Sequence, residues 1–144
     1  MMDDIDKRIL NLLAQNARMT VKDIAQKVAL TSPAVSERIR RMEREDIIAG
    51  YTVVYGDKVT EHQIEALISV SVAPSDHEEF LMLADHQPGV ARCYHVTGSY
   101  SFILCVACSG IAELESLINR FQKFGATSSQ IILSTSVDRS AGIL

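Results

Sequence analysis

Apolar residues recur three to four positions apart in three segments of the N-terminal third of the chain. Such spacing places them on one face of an α-helix, so the pattern predicts three short amphipathic helices. Asp3 with Asp6 forms an acidic start that is typical of the first turn of a helix. The three apolar stripes are Ile5, Ile9, Leu12 and Leu13; Ile24, Ala25 and Val28; and Val35, Ile39 and Met42.

The second and third helices begin with capping residues and are joined by only a few residues. Thr20, followed three positions later by Asp23, predicts a capping box. Ser32 followed by Pro33 predicts an N-cap with proline at the first helical position, where a missing N–H costs nothing. Two short helices in tandem, the second opening on Ser and Thr, predict a helix-turn-helix.

The third helix carries the candidate DNA-binding residues. Because its apolar stripe faces inward, short polar side chains at its start and arginines one or two turns later point outward or sideways, which suits a helix in the major groove. Arg38 lies nearer the stripe, so we expect it to be partly structural. A helical bundle whose arginines only pair with surface carboxylates is the alternative interpretation. The candidates are Thr31, Ser32, Ser36, Glu37, Arg38, Arg40, Arg41 and Arg44.

A β-branched and aromatic segment, Tyr51–Tyr55, follows the third helix. It predicts a short β element, either the wing of a winged helix-turn-helix or a linking strand. The polar stretch after it has no periodicity. We therefore predict a DNA-binding domain over residues 1–60 and a second domain over residues 61–144.

The second domain alternates four strand-like segments with two helix-like segments. Its first helix is predicted to start with a capping box at Ser75–Glu78. The order β-α-β-β-α-β predicts a ferredoxin-like domain with both helices on one face of an antiparallel sheet, and so an α+β class for the chain. The predicted strands are Ala66–Ala73, Val90–Thr97, Phe102–Cys108 and Gln130–Val137.

The third predicted strand is apolar on both faces. Phe102 and Leu104 share one face, while Ile103 and Cys105 share the other. Helices cover only one face of such a sheet, so the second apolar face needs another cover. We expect a second copy of the chain to supply it, giving a homodimer that presents two recognition helices to two half-sites.

Charge is distributed unevenly along the 144 residues, although the net charge is only −4. Residues 1–60 hold ten basic and nine acidic side chains, whereas residues 61–144 hold four basic and nine acidic side chains. The basic residues of the third helix therefore belong to a near-neutral domain, and the net charge does not exclude DNA. No apolar run approaches the ~20 residues of a membrane helix, the start is not a secretory signal, and three cysteines fit a reducing compartment. We expect a cytoplasmic protein.

No pattern in the sequence predicts catalysis, a metal site or a cofactor. Cys105 and Cys108 match C-x-x-C, but residues three apart in a strand point to opposite faces. The four histidines lack ligand spacing, and we expect His95 to be structural. There is no Gly-rich phosphate loop and no nucleophile motif, so we expect a protein that is not an enzyme.

Motifs along nearly the whole chain, taken in order, resemble those of the leucine-responsive/asparagine-regulator (Lrp/AsnC) family of transcription factors. The N-terminal motifs are D-x-I-D-x-x-I-L (Asp3–Leu10), D-I-A-x-x-V-x-L-T-x-P (Asp23–Pro33), R-I-R-R-M-E (Arg38–Glu43) and I-I-x-G-Y-T (Ile47–Thr52). The C-terminal motifs are C-Y-H-V-T-G-S-Y (Cys93–Tyr100) and I-I-L-S-T (Ile131–Thr135).

The resemblance implies a regulator of amino-acid metabolism genes that binds double-stranded DNA and forms dimers, tetramers, octamers or larger discs. It also implies an amino-acid effector bound near the turn between the second and third strands, where family members often have G-D-Y-D. Here the turn is Gly98-Ser-Tyr-Ser101, and a serine hydroxyl gives a hydrogen bond roughly half as strong as a carboxylate's. The effector-binding candidates are Gly98, Tyr100, Ser101, Ser134 and Ser136, the last two on one face of the final strand.

Two other positions depart from the family pattern. Ala29 stands where the helix-turn-helix commonly has glycine, so the turn is either strained or differently shaped. Asp46 stands where the recognition helix often ends in glycine, and Asp tolerates left-handed backbone better than most residues.

Two alternative functions remain open. The serines at the turn also fit a ligand-independent architectural DNA-binding protein. The domain layout also resembles sirohaem decarboxylases, which are enzymes, but the acidic second domain would repel their polycarboxylate substrate.

Overall fold

A computed structural model describes residues 1–61 and 63–138 of the chain. The last six residues of the predicted second domain, 139–144, lie outside the described residues. The chain divides into two compact units, one containing Met1–Val54 and the other formed by Tyr55–Thr135.

Three helices form the N-terminal unit, and their apolar stripes meet in one core as predicted. Ile9, Ile24, Val35 and Met42 have no exposed surface, and Ile39 packs against them. Burying these side chains stabilises the unit because apolar surface leaves water. The helices are α1 (Asp4–Gln15), α2 (Val21–Val28) and α3 (Ser32–Arg44).

The two positions that depart from glycine both adopt left-handed backbone. Ala29 ends α2 with φ 56° and ψ 44°, and Asp46 follows α3 with φ 54°. An L-residue with a Cβ is disfavoured in this region, so the turn of the helix-turn-helix keeps its shape at the cost of strain. Of the two outcomes predicted for Ala29, the strained turn is the one observed.

Replacing Ala29 by glycine should therefore stabilise the N-terminal unit. Removing the Cβ relieves about 1–2 kcal/mol of left-handed strain, and the greater freedom of glycine in the unfolded chain offsets part of this. We expect Ala29→Gly to raise the free energy of unfolding by about 0.5–1 kcal/mol in urea denaturation. Ala34→Gly, in the first turns of α3, should lower it by a similar amount. A destabilised Ala29→Gly would contradict this explanation of the turn.

The start of α3 and the segment after it differ from the prediction. Thr31, and not Ser32, is the N-cap, since its hydroxyl accepts from the backbone N–H of Ala34 at 3.4 Å. Residues 51–55 are exposed, and no strand forms there within the described residues. A short helix, α4 (Asp57–Thr60), follows in the stretch where no element was predicted. The predicted wing or linking strand is therefore absent from the single described chain.

The second unit has the predicted β-α-β-β-α-β order, which confirms the α+β class. Its four strands form one antiparallel sheet in the order β2-β3-β1-β4. The elements are β1 (Ile64–Val70), α5 (His77–Asp85), β2 (Val90–His95), β3 (Phe102–Cys108), α6 (Ile111–Phe121) and β4 (Thr127–Ile131).

Four local predictions in this unit are wrong. The first strand was predicted over Ala66–Ala73, but β1 begins two residues earlier and ends at Val70. The capping box at Ser75–Glu78 does not form, because Pro74–Asp76 is a 3-10 turn and α5 begins only at His77 without a side-chain cap. β2 ends at His95, two residues early. The last strand is Thr127–Ile131, earlier than predicted, because the polar Thr-Ser-Ser-Gln residues already pair with β1. After the strand, Ile132 adds one backbone hydrogen bond to Glu65 of β1.

The core of this unit lies between the helices and one face of the sheet. Phe80 of α5 stacks on Phe102 of β3 with ring centroids 4.7 Å apart, and Phe121 of α6 joins them. Along β3 the side chains alternate between buried and half-buried, as the period-two pattern predicts. The half-buried side chains belong to the outer sheet face, which is defined by Leu67, Tyr94, Ile103, Cys105 and Ala107.

Candidate functional site

Helix α3 presents a polar outward face to solvent. Arg40, Arg44 and Glu37 are exposed, and Ser36 is half-buried beside them. Arg40 has no hydrogen bond or ion pair within the described chain. Arg44 Nη2 lies 3.0 Å from Glu37 Oε1, and its hydrogen bond and charge lower the pKa of Glu37 below the usual value. The face therefore offers one free guanidinium and one shared with a surface carboxylate.

The other two arginines of α3 are held by α1. Arg38 Nη1 donates to Asp3 Oδ2 at 2.6 Å and to Asp6 Oδ1 at 2.8 Å. Arg41 Nη2 donates to Asp6 Oδ2. The Asp6 side chain is fully buried, while those of Arg38 and Arg41 are 25% and 35% exposed. Of the outward and sideways placements predicted for Arg41, the sideways one is observed, toward α1. Arg38 has the contacts that a partly structural role requires.

Both aspartates of this cluster are stabilised as carboxylates. Burial by itself raises the pKa of Asp6, but the backbone N–H of Asp3, the Arg38 guanidinium and the charge of Arg41 bring it below its usual value. The backbone N–H of Asp6 and the Arg38 side chain lower the pKa of Asp3 to about 2. At neutral pH the cluster therefore contains two carboxylates facing two guanidiniums.

Sequence reasoning assigned Asp3 and Asp6 only to the acidic start of α1. Both also form a capping box, in which each side chain accepts from the backbone N–H of the other. The signal for the buried role was present, because Asp6 lies three residues before Ile9 on the same helix face. A carboxylate within an apolar stripe requires a cationic partner from another element.

The turn between β2 and β3 contains three of the effector-binding candidates. Gly98 has φ +112°, a conformation that favours glycine, and Tyr100 is half-buried. The Ser101 hydroxyl donates to the Val72 carbonyl at 3.0 Å and accepts from the Val72 N–H at 3.1 Å. Because one backbone residue already engages its proton and one lone pair, Ser101 mainly ties the turn to the chain after β1.

The remaining effector-binding candidates lie after the last strand of the sheet and not on it. Ser134 and Ser136 are exposed and follow β4, so their predicted position on the final strand is wrong.

His95, which is expected to be structural, stacks on the ring of Phe102 with the two ring centroids 4.7 Å apart. Its ring is nearly perpendicular to that of His77. His77 Nε2 lies 3.2 Å from the Val72 carbonyl, so His77 contacts the same residue that Ser101 holds.

The described residues contain neither a metal-binding cluster nor a membrane-spanning helix. Within residues 1–61 and 63–138, no three His, Cys, Asp or Glu side chains lie together in an arrangement that could hold a metal ion. In the same part of the chain, no helix is long and apolar enough to span a bilayer.

Two known protein families match separate parts of the chain. The winged helix-turn-helix DNA-binding family matches residues 2–49. The Lrp/AsnC ligand binding domain matches residues 65–141.

Relatives and solved structures match nearly the full length. The uncharacterized HTH-type regulator YezC of Bacillus subtilis is 31% identical over 94% of this chain and 96% of its own. LrpA of Mycobacterium tuberculosis is 30% identical over 93% of this chain and 91% of its own.

Solved structures also match nearly the full length. The structure of LrpC from B. subtilis has a TM-score of 0.86 at 25% identity, and the match covers 96% of this chain and 99% of the LrpC chain. The structure of NMB0573 from Neisseria meningitidis in complex with L-Met has a TM-score of 0.90 at 20% identity. That match covers 99% of this chain and 97% of the NMB0573 chain.

The relatives are transcriptional regulators and not enzymes, which confirms that expectation. The matching families cover a DNA-binding and a ligand-binding domain in the predicted order. The chain therefore belongs to the Lrp/AsnC family and is a DNA-binding transcriptional regulator.

Proposed function

We propose that α3 enters the major groove of double-stranded DNA with its outward face. Thr31, Ser32 and Ser36 lie where short side chains can approach base edges, and Arg40 and Arg44 lie where guanidiniums can meet phosphates or bases. The observation that carries this proposal is the exposed Arg40 on the second helix of a tightly joined helix pair.

We also propose that the regulator acts as a homodimer or a multiple of it. The outer sheet face has half-buried apolar side chains on the two central strands, β1 and β3, and no element of the second unit covers it among the described residues. A monomer would leave this apolar surface in water, whereas a twofold partner with the same surface would bury it.

The regulated genes are proposed to belong to amino-acid metabolism, with an amino acid as effector. The ligand-binding domain match and the L-Met complex of the N. meningitidis protein support this effector class. A second candidate, a ligand-independent architectural protein, is favoured by the Ser101 hydroxyl, which is already engaged by Val72. Titration with the twenty amino acids distinguishes them, because only the first predicts a change in DNA affinity or oligomer size.

Arg40→Ala tests the DNA-binding face. Removing a phosphate contact should weaken DNA binding about tenfold and reduce the slope of log K against log salt by about 0.9 per protomer. Fluorescence anisotropy with labelled duplex DNA, from about 50 to 200 mM salt, measures both quantities. Arg120→Ala removes the same charge from exposed α6 in the other unit and should change neither. Equal slopes for the two folded variants would place the DNA-binding surface elsewhere.

A further inference from the structure

The arginine cluster between α1 and α3 contains one carboxylate that is buried and one that is not. Asp6 is enclosed, so its role is to join the two helices. The Asp3 side chain is 51% exposed, yet its oxygen lies only 2.6 Å from Arg38 Nη1. Asp3 therefore adds a second, solvent-facing acceptor to a nitrogen that Asp6 already binds.

The position of Arg38 makes this second acceptor important for DNA. Arg38 belongs to the helix that carries the outward Arg40, and a quarter of its side chain remains exposed. A guanidinium binds a phosphate oxygen with the same N–H groups that it uses for a carboxylate. A phosphate approaching α3 must therefore compete with Asp3 for Arg38.

We propose that Asp3 is a positioning residue that restrains Arg38 and thereby lowers the affinity of α3 for DNA phosphates. This inference rests on the proposed DNA-binding face of α3. In the resting protein, Asp3 and Asp6 together hold Arg38 and Arg41, which leaves Arg40 and the shared Arg44 as the outward cations. Weaker phosphate contact increases the relative weight of base contacts, since phosphate contacts carry no sequence information.

Asp3→Asn tests this role without removing the helix cap. Asparagine caps helices as well as aspartate does, so its side-chain oxygen can still accept the Asp6 N–H at the start of α1. With Arg38 released from one carboxylate, we expect DNA binding up to about tenfold tighter at low salt and a salt slope steeper by about 0.9 per protomer. A merely structural role of Asp3 would leave the slope unchanged.

Asp4→Asn is the matched control. It removes the same charge from the adjacent residue, whose side chain is 95% exposed and pairs with Lys7 instead of Arg38. Its effect on the salt slope should be small. Equal affinities and slopes for Asp3→Asn and Asp4→Asn would overturn the proposal.

A double substitution shows whether the effect passes through Arg38. In an Arg38→Gln background, Asp3→Asn should no longer change DNA affinity, and a persistent effect would also overturn the proposal. Should Arg38→Gln fail to fold, the comparison of Asp3→Asn with Asp4→Asn decides alone. Failure of the wild-type protein to bind duplex DNA would instead refute the proposed function, so the two failures are distinguishable.

Discussion

Leu67→Asp should convert the protein to a monomer and reduce its affinity for a two-half-site DNA roughly 100-fold or more. Leu67 lies on central strand β1, opposite Cys105 of β3, on the outer sheet face. A carboxylate there would have to be desolvated against an apolar surface of the partner, which opposes association. Each freed protomer would then bind its half-site without the advantage of a linked second helix.

Size-exclusion chromatography with light scattering measures the first effect, and anisotropy with duplex DNA measures the second. Ser116→Asp is the control, because it adds the same charge to an exposed position of α6, away from the sheet. It should leave both the dimer and DNA binding intact. A dimeric Leu67→Asp protein with unchanged affinity would show that another surface joins the protomers.

Asp6→Ala should destabilise the N-terminal unit by about 3 kcal/mol. The substitution leaves Arg38 and Arg41 without their shared partner and removes the acceptor for the Asp3 N–H. The expected loss is at the lower end for a broken buried ion pair, because both arginines can still reach water.

Urea denaturation followed by circular dichroism measures this loss. Asp4→Ala, at a nearly fully exposed position of the same helix, should change the free energy of unfolding by no more than about 0.5 kcal/mol. If Asp6→Ala were as stable as Asp4→Ala, the cluster would contribute nothing net to folding.

Periodicity predicted the elements well where one face of an element is buried. The stripe of α3 (Val35, Ile39 and Met42) and the alternation along β3 both follow from a single packed face, so they are visible in the sequence. Left-handed backbone at Ala29 and Asp46 could be predicted as well, because helix ends often require it.

The errors arose where structure depends on contacts between distant residues. The pairing of Arg38 and Arg41 with α1 spans 32 and 35 residues, and charge spacing along α3 contains no information about it. The last strand is polar, so hydrophobic alternation favoured the wrong segment. The Ser101 hydroxyl looked available for a ligand because its bond to Val72, 29 residues away, is equally non-local.

Selection of duplexes by the wild-type protein from a random pool, followed by protection of guanine N7 in the major groove from methylation by dimethyl sulfate, tests the central claim most directly. The account predicts a two-part site with protected major-groove contacts separated by one helical turn, about 10 base pairs, or a multiple of it. Recovery of no preferred duplex, or protection of a single site by one protomer, would contradict it.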